Sequence, residues 1–147
     1  MPHVERSIDI AVTPATAFDF VADYRNALKW MHNFTRFEPE TPESYGLGAR
    51  VTVTGMAMGI PMTTTMEISA FERPTRLSSR TTGKLATEST WNFAPEGSGT
   101  RATFVGKYDL PGGLLRLVGG SLLQRELETN AEKSLLNLKT QLENSGA

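Results

Sequence analysis

The chain lacks cysteine altogether, and histidine is almost absent. No cysteine occurs in the 147 residues, which excludes disulfide bonds, thiolate nucleophiles, iron–sulfur clusters and cysteine-ligated zinc sites. The two histidines, His3 and His32, lie far apart and do not have the four-residue spacing that places two imidazoles on one helix face. We therefore expect no metal site.

A surplus of charge and a long apolar run are missing as well. Lys and Arg number 15 and Asp and Glu number 16, so the net charge of -1 favours neither nucleic acid nor an anionic membrane as a partner. No run of about 18 apolar residues is present, and no apolar run follows a basic region at the start, so we expect neither a membrane-spanning helix nor a signal peptide. These absences favour a cytoplasmic protein without stable membrane insertion, and they leave its oligomeric state open.

What is present is an ordinary globular composition. Hydrophobic residues make up 39% of the chain and charged residues 21%, which is typical of a folded rather than a disordered protein. A chain of this length buries roughly two-thirds of its unfolded surface and needs no disulfides or other covalent cross-links to fold. We predict one domain over residues 1–147.

The first part of the sequence predicts a strand followed by two short helices. Apolar residues alternate over 3–12, as a half-buried strand requires. Thr13 and Pro14 then provide a helix N-cap and a proline at the first helical position. A second helical turn is expected over 27–32 and carries Trp30.

Strand-like runs separated by turn residues occupy the middle of the chain. We place these strands at 35–38, 50–58, 62–71, 76–82, 86–94 and 100–110. A Pro-Glu-Gly-Ser-Gly loop over 95–99 joins the last two as a hairpin. Because short turns link neighbouring strands, the pattern predicts an antiparallel sheet.

The last part of the chain changes to a helical period. Spacings of three and four residues connect Leu123, Leu127, Ala131, Leu135, Leu138 and Leu142. They form one face of a long amphipathic helix. The apolar segment before it is interrupted by Gly119 and Gly120, which indicates either a buried helix start or a lid hinged at the glycines. An antiparallel sheet with helices at both ends is an α+β domain, and a curved sheet wrapped around a long helix leaves an interior suited to a small molecule.

This order resembles the START/Bet v 1-like (SRPBCC) superfamily, in its bacterial polyketide cyclase/dehydrase and lipid-transport branch. The resemblance covers essentially the whole chain and rests on the segments VERSIDI at 4–10, TPATAFDFVAD at 13–23, Trp30, GLGAR at 46–50, WNF at 91–93 and the terminal leucine helix. It implies the helix-grip fold, a curved antiparallel sheet around the C-terminal helix, and it implies no cofactor. Members include lipid carriers, hormone receptors, cyclases and aromatases, so the fold leaves the function open.

Strand parity predicts which side chains line the interior, because successive side chains point to opposite faces. One set comes from a methionine-rich hairpin: Met56, Met58, Met62, Thr64 and Met66. Methionine is flexible and suits varied apolar shapes, although it also serves as plain core filling. The other predicted ligand-binding residues are Trp30, Trp91, Phe93, Phe104, Tyr108, Val118 and Leu122.

The catalytic candidates are few. Histidine is the side chain whose charge changes most easily near neutrality, so His32 is a candidate acid or base, with an exposed loop histidine as the alternative interpretation. Tyr24 and Tyr108 are further proton-transfer candidates. We therefore predict that the chain binds a small hydrophobic molecule (a lipid, isoprenoid or polyketide-like compound) in the interior. The alternatives are a cyclase or dehydratase that uses the same cavity, and a protein–protein adaptor that uses the methionine-rich hairpin.

Overall fold

A seven-stranded antiparallel sheet and one long helix dominate the structure, a computed structural model that describes residues 3–40, 46–57, 59–81, 86–109 and 120–145. The elements in chain order are β1 (His3–Ile10), α1 (Pro14–Ala22), a 3-10 turn (Tyr24–Asn26), α2 (Ala27–Trp30), β2 (Phe34–Pro39), β3 (Arg50–Ala57), β4 (Ile60–Glu72), β5 (Arg76–Thr81), β6 (Ala86–Glu96), β7 (Gly99–Asp109) and α3 (Gly120–Ser145). The strand order in the sheet is β1-β7-β6-β5-β4-β3-β2. The predicted α+β, helix-grip architecture is confirmed.

The hairpin between β6 and β7 is tighter than predicted. Both strands continue into the predicted 95–99 loop, where Pro95 pairs with Thr100 and Glu96 pairs with Gly99. Gly97 has a φ of 59°, in the left-handed region that a two-residue hairpin turn requires. This glycine therefore shortens the loop and lengthens both strands.

Helix α1 starts as its sequence predicts and fills one end of the sheet. The Thr13 hydroxyl accepts a hydrogen bond from the Thr16 backbone N–H at 3.3 Å, and Pro14 occupies the first turn. Phe18 is fully buried and packs edge-on against Phe71 and Phe93, with ring centroids 5.0 and 5.9 Å apart. The main core therefore lies at this end of the sheet.

The long helix α3 faces two different environments along its length. Its C-terminal half buries Leu138 and Leu142 in the same core cluster as Phe18 and Phe93. Its N-terminal half instead borders an open interior, through Leu123, Leu127, Asn130 and Ala131, and Ser134 just past the midpoint borders it as well. The leucine spacing predicted one continuous buried stripe, and the structure divides that stripe into a packed half and an open half.

The structure places Leu122 differently from the prediction. Leu122 is 55% exposed, because it lies one residue, or about 100° of helix rotation, away from the buried Leu123. Val118 and Met58 lie outside the described residues, as does Gly119 of the suggested hinge, whereas Gly120 is the first residue of α3.

Side chains of α3 also cover the free edge of the sheet. Arg6 on β1 forms ion pairs with Glu128 and Glu132 at 2.7 and 3.2 Å. Further along, Lys139 donates to the backbone carbonyl of Asp9 at 2.7 Å, and Glu143 accepts from the N–H of Ala11 at 3.0 Å. Those two bonds occupy backbone groups beside the edge strand β1, where an added strand would otherwise pair.

We expect the packed half of α3 to carry more of the stability than its exposed face. Leu138→Ala should lower the free energy of unfolding by about 2–5 kcal/mol, because Leu138 is 0% exposed and its removal leaves a cavity. Leu136→Ala is the matched control, since Leu136 on the same helix is 58% exposed and should change stability by at most about 0.5 kcal/mol. Urea denaturation measures both variants, and equal losses would contradict this division of the helix.

Candidate ligand-binding site

A cavity of about 220 Å³ lies between the concave face of the sheet and the N-terminal half of α3. Its lining comes from all strands except β1, from the end of α1 through the turn after α2, from the segment before β3, and from α3. Most of the lining is apolar, and small residues form part of the floor. The main core and this cavity therefore occupy opposite ends of the same interface between sheet and helix.

Aromatic rings form the boundary between the core and the cavity. Trp91 meets Trp30 edge-on at 5.4 Å between centroids and lies 5.1 Å from Phe104. All three border the cavity, as strand parity and the position of Trp30 predicted. Phe93 shares a face with Trp91 but is buried in the core and does not line the cavity, because Phe18 of α1 packs over that end of the sheet.

The methionine-rich hairpin contributes to the wall in part. Met62, Thr64 and Met66 of β4 line the cavity. Met56 borders it too, although the register pairs Met56 with Pro61, whereas Gly55 lies opposite Met62. Strand parity alone would therefore place Gly55, and not Met56, on the face that Met62 shares.

Two phenylalanines of the wall were missed in the sequence. Phe34 and Phe37 are three residues apart, a spacing that would place them on opposite faces of a regular strand. A bulge between Phe34 and Arg36 shifts the register, so Phe34 lies opposite Gly55 and Phe37 opposite Val53. Both rings consequently line the cavity, 5.4 Å apart. No pattern in the sequence of this segment predicts the bulge.

Three polar side chains of α3 hold the turn that follows α2. Ser134 Oγ accepts from the His32 backbone N–H at 2.8 Å, and Asn130 Oδ1 accepts from Asn33 Nδ2 at 3.0 Å. Asn137 Nδ2 donates to the Trp30 carbonyl at 3.2 Å. Asn33 itself has a φ of 64°, a left-handed conformation that asparagine adopts more easily than most residues. These bonds fix Trp30 and His32 beside the cavity.

The catalytic candidates His32, Tyr24 and Tyr108 all border the same cavity. No side chain within the described residues hydrogen-bonds the His32 imidazole. Asp23, which precedes the 3-10 turn, forms an ion pair with Arg25 at 2.7 Å. The hydrogen bonds from Arg25 lower the pKa of the Asp23 carboxyl. Among the described residues, no carboxylate orients the His32 imidazole.

Tyr108 projects from β7 into the floor of the cavity. A Cβ at position 106 would lie 2.8 Å from its hydroxyl oxygen and 2.9 Å from the Phe104 ring, so Gly106 provides the room that both aromatic side chains need. Burial raises the pKa of Tyr108 to about 12. The phenol therefore stays protonated at neutral pH, where it can donate a hydrogen bond and cannot act as a general base.

Charged groups are kept away from the cavity. Among the described residues that line it there is no Lys, Arg, Asp or Glu. Arg50 and Arg80 lie on the outer face instead, where they pair with Glu40 and Glu67 at 3.2 and 2.9 Å. Over the same part of the chain, no group of three or more histidines and carboxylates could hold a metal ion. The arrangement suits an uncharged ligand, because burying an unpaired charge is costly.

Comparisons with known proteins agree with this geometry. A family model described as polyketide cyclase / dehydrase and lipid transport matches residues 1–143. A sequence comparison with curated proteins gives no significant match. None of the described helices has the length and apolarity that a bilayer-spanning segment needs.

Solved structures with the same fold come from proteins of several kinds. TTHA0849 from Thermus thermophilus is 25% identical, with a TM-score of 0.83 over 99% of this chain and 100% of that chain. One part of the di-domain ARO/CYC BexL from the BE-7585A biosynthetic pathway is 20% identical, with a TM-score of 0.70 over 94% of this chain and 48% of that chain. Ara h 8.0201 is 12% identical, with a TM-score of 0.69 over 95% and 96%.

The raised pKa of Tyr108 predicts a specific loss of stability in alkali. An unfolded tyrosine ionises near pH 10, whereas folded Tyr108 keeps its proton to about pH 12. The unfolded state therefore gains stability as pH rises above 10, and the protein should lose up to about 2–3 kcal/mol by pH 12. Tyr108→Phe should remove this component. Urea denaturation of both proteins at intervals from pH 9 to 12 tests it, and parallel curves would contradict the assignment.

Proposed function

The chain belongs to the polyketide cyclase/dehydrase and lipid transport family, as the sequence resemblance predicted, and on that premise we propose that it binds a small hydrophobic molecule in the cavity between the sheet and α3. Candidate ligands are lipids, isoprenoids and polyketide-like compounds. The family and the fold support a role in binding hydrophobic ligands or in cyclisation generally. The use of this particular cavity, and the ligand-binding roles of its lining residues, are part of the proposal.

One observation carries the proposal: small residues form a row across the central strands. Ser79 of β5 pairs with Ser89 of β6, and both line the cavity, whereas Tyr108 and Phe104 take the room beside Gly106 of β7. Two residues nearer the core, the corresponding row is Leu77, Trp91 and Phe104. Protein interiors are normally packed with few voids larger than a water molecule. A row of small side chains beneath a helix therefore keeps open a space that leucine or phenylalanine would fill.

A binding measurement with a cavity-filling variant tests this role. The neutral dye N-phenyl-1-naphthylamine becomes more fluorescent in apolar surroundings and should bind the wild-type protein. Ser89→Leu should weaken dye binding at least tenfold while the protein stays folded, because the added carbons occupy the cavity. Glu88→Leu is the matched control, since Glu88 is the next residue on β6 and is exposed on the other face.

The control variant should keep the wild-type dissociation constant within about twofold. Thermal unfolding of both variants checks that each is folded. Equal dye binding by wild type and Ser89→Leu, or no binding by wild type, would overturn the proposal that the cavity binds ligands.

A second candidate function is a cyclase or dehydratase acting on a polyketide-like chain. The observation that favours it is the meeting of His32, Tyr24 and Tyr108 at one cavity. The cavity would fold the chain, and orientation alone lowers reaction barriers by several kcal/mol. Protonated Tyr108 would polarise a carbonyl by donating a hydrogen bond, while His32 would move protons.

The two candidates differ in what His32→Ala should do. Under the cyclase proposal, His32→Ala abolishes formation of cyclised product from a poly-β-ketone thioester, while affinity for N-phenyl-1-naphthylamine stays unchanged. Tyr108→Phe should slow the same reaction with a smaller effect on dye binding. Chromatography of the products measures turnover, and absence of product with the wild-type protein would count against the cyclase.

A further inference from the structure

Hydroxyl groups are concentrated on one part of an otherwise apolar cavity. Ser79, Thr81, Thr87, Ser89 and Tyr108 all line it. Strand pairing makes these residues direct neighbours: Ser79 pairs with Ser89, Thr81 pairs with Thr87, and Thr87 pairs with Tyr108. Five hydroxyls on three adjacent strands therefore form one polar patch on the cavity floor, which we call the hydroxyl floor.

The members of the hydroxyl floor differ in whether their hydrogen bonds are made. Thr81 and Thr87 bond each other at 2.9 Å between hydroxyl oxygens, and the Thr87 N–H donates to Thr81 at 3.0 Å. Ser79, Ser89 and Tyr108 have no hydrogen-bond partner within the described residues. Most buried polar side-chain atoms in proteins do have a partner, so these three hydroxyls are available to a ligand.

A fourth donor without an acceptor belongs to Trp30, one of the residues that line the cavity. Trp30 is 3% exposed, and its indole N–H finds no acceptor among the described residues. A buried donor left without an acceptor costs roughly 1–3 kcal/mol. The Tyr108 O–H likewise has no acceptor among the described residues, so the arrangement favours a ligand that brings an oxygen acceptor.

The residues that line the cavity indicate that the oxygen-bearing group of the ligand is uncharged. A carboxylate or phosphate would need Lys or Arg nearby, and the described lining contains neither. Tyrosine and serine hydroxyls instead match the neutral oxygen of a ketone, ester or alcohol. Met62, Met66 and Phe34 provide the apolar wall for the rest of the molecule.

We propose that the hydroxyl floor selects an uncharged, oxygenated hydrophobic ligand, whose carbonyl or hydroxyl oxygen is held by Tyr108, Ser79 and Ser89. This inference rests on the proposed function, since it assumes that the cavity binds a ligand. It specifies the chemical class of the ligand: the cavity binds neutral oxygenated compounds in preference to carboxylates.

Three probes of similar size separate these properties. Butylbenzene carries no oxygen, butyrophenone carries one ketone, and 4-phenylbutyrate carries a carboxylate. Calorimetric titration of the full chain at neutral pH gives each dissociation constant. Butyrophenone should bind at least tenfold more tightly than 4-phenylbutyrate, because the described lining offers the charged group no Lys or Arg.

Hydroxyl-deletion variants then test the floor itself. Tyr108→Phe, and the double variant Ser79→Ala/Ser89→Ala, should each weaken butyrophenone three- to tenfold and leave butylbenzene within twofold. The matched control is Ser78→Ala/Thr90→Val, which removes a hydroxyl pair bonded at 3.1 Å on the opposite face of the same two strands. It should leave both affinities unchanged.

The outcomes separate this inference from the function on which it rests. Loss of ketone affinity in the floor variants alone supports the inference. Equal changes for ketone and hydrocarbon, or tightest binding by 4-phenylbutyrate, overturns it while ligand binding itself stands. Failure of all three probes to bind the wild-type protein overturns both.

Discussion

The packing of α3 against the core at one end of the sheet is the constraint on which the cavity depends. A helix of 26 residues is a stiff rod about 39 Å long, so fixing one half sets the height of the other half above the sheet. Leu138 and Leu142 make that fixed half, together with Phe18 and Phe93. The open half can then cross small floor residues without collapsing onto them.

Hydrogen bonds between α3 and the turn after α2 add directional contacts to this apolar packing. A hydrogen bond requires a particular direction and a limited range of distances, whereas the hydrophobic effect is non-directional. The bonds from Asn130, Ser134 and Asn137 to the turn after α2 therefore set the register of helix against turn. The rim of the cavity is positioned by direction-dependent bonds, and its wall is left to adaptable side chains such as Met62 and Met66.

Sequence patterns predicted the order of elements, and strand parity predicted several lining residues, because both depend on local periodicity. Trp91 and Phe104 border the cavity for this reason. Strand parity identifies which face of the sheet a side chain is on, but it does not say what covers that face. It therefore predicted Trp91 and Phe93 alike as lining residues, although α1 covers Phe93 and leaves Trp91 beside the cavity. The position of Phe34 depends on a bulge, and the pairing of Met56 with Pro61 depends on the register of β3 against β4; periodicity determines neither.

The floor and the rim of the cavity differ in the chemistry they can perform. Tyr108 on the floor holds its proton through the physiological range, so it can donate a hydrogen bond to an oxygen and cannot abstract a proton there. The described lining contains no carboxylate, so the cyclase proposal assigns proton abstraction to His32, whose backbone N–H donates to Ser134 of α3. The proposals therefore assign ligand selection and proton transfer to separate residues. The same scaffold would serve a carrier without any role for the histidine, and an enzyme only if the bound molecule reaches it.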